Sequence, residues 1–155
     1  MKYYELNLVF LFILLLSMLV IASAIISIGT VDVTATANSS NVSVPVTLNN
    51  NVSVAVLQFQ VNHSELLIFK GVQPTARMPN ATIETNNIAP NVLGVAAFIP
   101  DNISVGSGTI LNLIFDVNSS ALPGVYPLNM AGVLLSNIEM DALSYNSSNS
   151  LFTIV

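Results

Sequence analysis

The sequence has no cysteine and no tryptophan, and its 155 residues include a single histidine. Without cysteine, disulfide frameworks, thiolate zinc sites and haem-attachment motifs are excluded. Charge is scarce: three basic residues stand against eight acidic ones, the net charge is −5, and charged residues make up 7% of the chain. This composition excludes the basic surface of a nucleic-acid-binding protein. The scarcity of ionisable groups also argues against acid–base catalysis, so we predict no enzyme, no cofactor and no small-molecule substrate.

Amides, hydroxyls and apolar side chains take the place of charge. Hydrophobic residues make up 53% of the chain, and Asn, Ser and Thr contribute 18, 17 and 9 residues. The length allows one domain besides a targeting segment. The sequence therefore predicts a small domain whose surface is hydrated mainly by amides and hydroxyls.

An uncharged apolar run occupies residues 8–28. As a helix it would be about 31 Å long, enough to cross the hydrocarbon core of a membrane. Lys2 precedes it, which favours an N-terminus on the inner side, and Ala22-Ser23-Ala24 matches a small-residue cleavage site. Residues 1–29 are therefore a cleaved signal peptide or an uncleaved transmembrane anchor, and both interpretations place residues 30–155 outside the cell membrane.

Glycosylation sequons (Asn-x-Ser/Thr) are more frequent than chance predicts. Ser and Thr make up 26 of 155 residues, so chance placement of 18 Asn residues would give about three sequons. Eight are present, at Asn38, Asn41, Asn51, Asn62, Asn80, Asn102, Asn118 and Asn146. We predict a glycosylated extracellular protein. The alternative is accidental clustering in an Asn- and Ser-rich chain.

The pattern beyond residue 31 is typical of β-strands. Apolar and polar residues alternate over residues 42–48 and 109–117, and turn compositions recur every 10–12 residues. Pro45 predicts an edge strand or a bulge, and a phase slip at residues 56–57 predicts another bulge. We predict an all-β, nine-stranded jelly-roll sandwich, preceded by the N-terminal hydrophobic helix.

The order and spacing of these strands resemble the cohesin domain family over residues 31–155. The residues that carry the resemblance are Val44-Pro45-Val46-Thr47-Leu48, Val95-Ala96-Ala97-Phe98, Gly106-Ser107-Gly108, Phe115-Asp116-Val117 and Gly124-Val125-Tyr126-Pro127-Leu128. The chain departs from the family at Asn62-His63-Ser64, where cohesins usually carry Tyr-Asp-Pro. The resemblance implies a non-catalytic module that binds a dockerin on a partner protein, usually where carbohydrate-active enzymes assemble outside the cell for polysaccharide breakdown. It also implies that calcium belongs to the dockerin, so this chain needs no metal.

Four polar residues are candidates for contacting that partner. If Leu57 and Phe59 point inward, then Gln58 and Gln60 point outward. The resemblance implies that this strand meets the dockerin, together with strands near residues 81–87 and 91–98 that carry Glu84 and Asn86. The alternative is that these are ordinary hydrated strand positions.

Three other groups could suggest chemistry, and each has a simpler interpretation. His63 beside Glu65 fits a hydrated loop better than an acid–base pair. Gly106-Ser107-Gly108 lacks the following helix and Lys of a phosphate loop. The acidic stretch at Glu139 and Asp141, with Asn146, does not match the spacing of a calcium loop.

Two other functional classes remain open beside the dockerin-binding module. A structural, glycosylated surface subunit of pilin or surface-layer type also joins a hydrophobic helix to a β domain. Glu5 precedes the hydrophobic run, but no Gly or Ala stands before it to mark pilin processing. A carbohydrate-binding module would need exposed aromatic residues, and only Tyr126 and Tyr145 are tyrosines of the exported part.

Overall fold

The computed structural model describes residues 26–155, which form eleven β-strands and no helix. The strands are β1 (Ile26–Thr30), β2 (Val33–Ala35), β3 (Val42–Asn50), β4 (Val54–Asn62), β5 (Leu67–Pro74), β6 (Thr82–Ala89), β7 (Val92–Ile103), β8 (Gly106–Val117), β9 (Gly124–Ser136), β10 (Tyr145–Ser148) and β11 (Ser150–Ile154). No helix that could cross a membrane occurs in this part of the chain. The N-terminal hydrophobic helix predicted from the sequence lies, up to residue 25, outside the described residues.

Two mixed sheets pack face to face as a sandwich. The five-stranded sheet has the order β10-β1-β3-β8-β5, and the six-stranded sheet has the order β2-β11-β9-β4-β7-β6. Successive strands change sheet at every connection except the β6–β7 hairpin. The all-β sandwich predicted from the alternating pattern is therefore confirmed.

The core lies between the sheets and follows the period of two. Its largest fully buried side chains include Phe59 of β4, Phe115 of β8 and Phe152 of β11. Burying each of these aromatic side chains contributes roughly 2–3 kcal/mol. Because alternate residues of β4 point inward, the residues between them form the outer face of the six-stranded sheet.

The strand count differs from the predicted nine. Two of the eleven strands, β2 and β10, have three and four residues and pair in parallel with β11 and β1 at the sheet edges. Strand β10 consists of Tyr145, Asn146, Ser147 and Ser148, a composition typical of turns. Their strand character comes from pairing with a neighbour, so the alternation of hydrophobic residues did not reveal them.

Strand β1 begins inside the segment that the sequence assigned to the hydrophobic run, residues 8–28. The hydrophobic segment was expected to include residues 26–28, but they begin β1, which lies between β10 and β3. Ile26 and Ile28 belong to the core, whereas Ser27 is exposed. This short alternation merges in sequence with the preceding apolar run, and pairing with β3 separates the two.

Pro45 does not mark an edge strand, because β3 is internal to its sheet. The last β1–β3 pair is Thr30–Val46, and the carbonyl of Pro45 then accepts a hydrogen bond from Val31 N at 3.1 Å. The nitrogen of Pro45 faces the same side as its carbonyl, so the missing N–H falls where the β1–β3 ladder ends. A register shift follows between Val46 and Thr47, where β8 advances from Leu111 to Thr109, so the extra residue is Ile110 of β8 and the bulge predicted at Pro45 is not in β3.

Candidate functional site

The four polar residues selected from the sequence lie together on the outer face of the six-stranded sheet. Gln58 of β4 and Glu84 of β6 both pair with Ala96 of the intervening β7. Gln60 and Asn86 flank Gly94 in the same way, one row along the strands. Two strand spacings separate the members of each row, about 10 Å. The structure therefore brings all four residues to one face, although this placement does not test their role.

A groove of about 450 Å³ lies over β7, between the β4 side chains Gln58 and Gln60 and the β6 side chains Glu84 and Asn86. It is lined by Gln58, Phe59, Gln60, Glu84, Thr85, Asn86, Ile88, Gly94, Val95 and Ala96. The small side chains of β7 form the floor, since β7 carries Gly94 and Ala96 on its outward positions. A Cβ on Gly94 would lie 2.6 Å from Ile88 Cδ1, so the Ile88 side chain covers the glycine at one side of the groove.

A bulge in β9 positions the Gln60 side chain. Between Gln58 and Gln60 the partner strand advances from Leu134 to Ala131, so β9 contains one extra residue. Gly132 within this bulge has φ +56°, and a Cβ there would lie 3.1 Å from Gln60 Cδ. Both features favour glycine at this position, and Gln60 packs half-buried over it while Gln58 stays exposed.

An apolar margin surrounds the groove, and sequence reasoning largely missed it. Phe98 pairs with Val56 and is 46% exposed, Leu134 pairs with Gln58 and is 48% exposed, and Ile88 is 53% exposed. Strand alternation could have placed Phe98 on the outer face, since its neighbours Ala97 and Ile99 both point into the core. The position of Leu134 depends on the β9 bulge, which the sequence does not reveal.

The polar side chains of this face are available to a partner. The side chains of Gln58, Gln60, Glu84 and Asn86 make no hydrogen bond or ion pair to any other residue of the range 26–155. The only salt bridge within that range joins Lys70 to Asp116 at 3.6 Å, in β5 and β8 of the other sheet. Glu84 is thus an unpaired carboxylate among amides and apolar side chains. This arrangement is suited to contacting one positively charged side chain of a partner protein.

The other groups singled out in the sequence have structural roles. The ring of His63 packs edge-on against Phe115 at 5.2 Å, and its Nδ1 lies 2.9 Å from the Ser64 carbonyl. Gly106-Ser107-Gly108 begins strand β8 and precedes no helix. Asp141 Oδ2 accepts a hydrogen bond from Asn137 Nδ2 at 3.1 Å, and Asp141 N donates to Asn137 Oδ1 at 2.8 Å in the same turn, while Asn146 lies in β10. Residues 26–155 contain no group of three acidic or histidine side chains able to hold a metal ion.

The sequence profile of the cohesin domain matches residues 26–150. The chain belongs to the cohesin domain family. This confirms the resemblance found in the sequence, and it extends the matched region to the start of β1. Cohesins are binding modules that bind dockerins.

Solved structures share the fold of this cohesin domain. A non-cellulosomal cohesin from the hyperthermophilic archaeon Archaeoglobus fulgidus is 21% identical, with a TM-score of 0.69 over 86% of this chain and 92% of that one. CaCohA2 from Clostridium acetobutylicum is 19% identical, with a TM-score of 0.73 over 84% of this chain and 90% of that one. The cohesin chain in the OlpA cohesin–Doc918 complex of Clostridium thermocellum is 17% identical, with a TM-score of 0.73 over 84% of this chain and 99% of that one. No curated protein matches the chain significantly.

Proposed function

We propose that this protein is a non-catalytic, extracellular protein–protein binding module that binds a dockerin on a partner protein. Its contact surface is the outer face of β4, β7 and β6, with Gln58, Gln60, Glu84 and Asn86 as the polar contacts. The observation that carries the proposal is the convergence of these four unpaired side chains on one groove of a cohesin domain. The complexes that such modules build include assemblies of carbohydrate-active or surface proteins.

The composition of the face supports a protein partner. Protein interfaces combine an apolar centre with a small number of polar groups, and aromatic residues are enriched in them. Here Phe98, Leu134 and Ile88 provide exposed apolar area beside the polar rows. The small, exposed side chain of Ala96 leaves room for a partner side chain to enter between β4 and β6, where the most energetic contacts of an interface usually lie.

Two features of the sequence support the extracellular location. The uncharged apolar run leads directly into β1, and Ala22-Ser23-Ala24 stands two residues before Ile26, the first residue of that strand. Cleavage there would leave the complete sandwich, and retention would tether it through residues 8–28, of which 26–28 lie in β1. The eight sequons agree with export under either alternative.

Calcium enters this proposal through the partner. In cohesin–dockerin pairs the ion belongs to the dockerin, and the described part of this chain contains no cluster of metal ligands. A chelator should therefore release the partner without unfolding the cohesin domain. This separates dockerin binding from calcium-dependent folding of the chain itself.

The test is capture from the protein's own cells. The full chain, solubilised in detergent and immobilised, is exposed to extracellular and membrane fractions with calcium and then eluted with chelator. We expect a dockerin-bearing protein in the chelator eluate, and its loss when Gln58 and Glu84 are both replaced by Ala. Gln73→Ala, an exposed residue of the opposite sheet, is the matched control. Equal capture by the wild-type chain and the double variant would contradict the proposed face.

A structural surface subunit is the second candidate, favoured by one edge of the fold. Strand β6 ends the six-stranded sheet, and seven of its eight residues are exposed. It has no Pro or Lys to block pairing with another strand, and Glu84 is its single charge. Light scattering of the purified chain without partner distinguishes the classes, since ordered polymers would favour the subunit and a monomer the binding module.

A further inference from the structure

The eight sequons are not equivalent in the folded domain. Seven lie at the ends of the sandwich, in the connections or at strand termini, and Asn146 lies on the edge strand β10. The central rows of the candidate face contain none. For several of these asparagines, backbone conformation or a side-chain hydrogen bond gives a structural reason for Asn at that position.

Left-handed backbone accounts for four of them. Asn38, Asn41, Asn80 and Asn102 have φ values of 64°, 55°, 53° and 57°, a conformation in which Asn is strongly enriched among non-glycine residues. Asn91 has φ 60° in the β6–β7 turn and belongs to no sequon. The chain therefore places Asn at such turns for conformational reasons alone.

Local contacts engage several side-chain amides. Asn118 Oδ1 accepts hydrogen bonds from Ser120 N at 3.0 Å and Ser120 Oγ at 2.9 Å, so the side-chain amide of Asn118 is held by its own turn. Asn80 Nδ2 donates to Asp101 at 2.6 Å, and Asn102 Oδ1 is buried. Asn51 also makes a contact in the turn after β3. These groups are occupied or covered in the folded chain.

Asn62 and Asn146 are different. Each is exposed, lies in a strand outside the left-handed region, and makes no side-chain hydrogen bond to any residue of the described range. Strands are depleted in Asn, so neither backbone nor contact explains these two. Other exposed strand asparagines, such as Asn86 and Asn129, have no Ser or Thr two residues later. We infer that Asn62 and Asn146 are the principal N-glycan acceptors of this domain.

The reaction requires an activated sugar donor, an oligosaccharide linked through phosphate or diphosphate to a lipid. The Nδ2 atom of the acceptor forms a bond to the anomeric carbon, the bond from that carbon to the phosphate oxygen breaks, and the lipid phosphate leaves. Nδ2 loses one proton in the exchange. This inference rests on the proposed extracellular location, because such donors serve exported chains.

The two positions suit a protective role. Strand β10 is an open edge without a charged residue, and a glycan on Asn146 would obstruct pairing with another chain. Asn62 lies on the outward side of β4, two residues beyond Gln60. A glycan there borders the candidate face at one end and leaves the region from Gln60 to Val56 open.

The test is site-resolved mass spectrometry of the full chain purified from its own cells. Chymotryptic glycopeptides are suitable because Lys and Arg are scarce. We expect occupancy at Asn62 and Asn146 to exceed that at the other six sequons. Ser64→Ala should abolish the Asn62 glycan, Ser64→Thr should retain it, and Asn91→Gln should change nothing.

Two outcomes overturn the inference, and cell fractionation distinguishes them. An exported chain without glycan at Asn62 and Asn146, whether bare or modified elsewhere, refutes the site assignment and leaves the proposed binding function standing. An unmodified chain found only inside the cell refutes the proposed location as well. Unfolding curves of the Ser64 variants show whether a lost glycan reflects misfolding.

Discussion

The guanidinium of Arg77 donates a hydrogen bond to the side-chain oxygen of Asn50 at 2.8 Å. The same guanidinium donates to the carbonyls of Leu48, Gly108 and Ser104, at 2.7, 3.1 and 3.1 Å. Asn50 is buried, and its Nδ2 donates to the carbonyl of Val52 at 2.7 Å. This pair ties together the end of β3, the start of β8 and the connection before β6 without any carboxylate.

Replacing Arg77 by Met should destabilise the domain by about 2–4 kcal/mol, because four acceptors, three of them in part-buried hydrogen bonds, lose a charged donor. Urea unfolding followed by circular dichroism measures the change. Lys70→Met is the control, since its exposed ion pair with Asp116 contributes about 0–1 kcal/mol. Equal midpoints for the two variants would show that the Arg77 network contributes little to stability.

Gly132→Ala should impair both stability and partner binding. Its φ of +56° strains any residue with a Cβ, at roughly 1 kcal/mol, and the new Cβ would displace the Gln60 side chain. Gly71→Ala is the matched control, since a Cβ there meets nothing within 4 Å. Calorimetric titration with the captured dockerin should show weaker binding for Gly132→Ala alone. Unchanged affinity would mean that the position of Gln60 is irrelevant.

Glu84→Gln should weaken dockerin binding about tenfold by removing the unpaired carboxylate of the face. Stability should remain unchanged, because Glu84 is exposed and unpaired within residues 26–155. Surface plasmon resonance at two salt concentrations measures the effect, and the wild-type salt dependence should exceed that of the variant. Glu65→Gln, an exposed acid away from the face, serves as control. An identical loss in both variants would indicate a non-specific charge effect.

Phe98→Ala should reduce affinity roughly ten- to a hundredfold, as expected when an exposed aromatic residue is buried against a partner. The melting temperature should change little, since nearly half of this side chain is already exposed. Leu122→Ala removes an exposed apolar residue of the β8–β9 connection and should leave binding intact. If Phe98→Ala binds like wild type, the apolar margin lies outside the interface.

Much of the face could be predicted from β4 alone. The phase slip at residues 56–57 indicated a bulge in β4, whereas the register shift between Val54 and Val56 comes from extra residues in β7, which advances from Ile103 to Phe98. Beyond this shift, alternation correctly placed Gln58 and Gln60 outward. The family resemblance added Glu84 and Asn86, and the pairing of β6 with β7 puts them across the groove. Leu134 could not be placed, because the extra residue in β9 shifts its register.

The sequence by itself determined the sandwich, most strand positions and the outward side of β4. These follow from a period of two, which is a local property that each strand carries in its own residues. Tertiary structure alone decided that residues 26–28 form a paired strand, that β10 exists, and that Arg77 reaches Asn50. Each depends on partners distant in sequence: β3 pairs with β1, β1 pairs with β10, and 27 positions separate Arg77 from Asn50. Hydrogen bonding between separate segments, which no local pattern encodes, selects those partners.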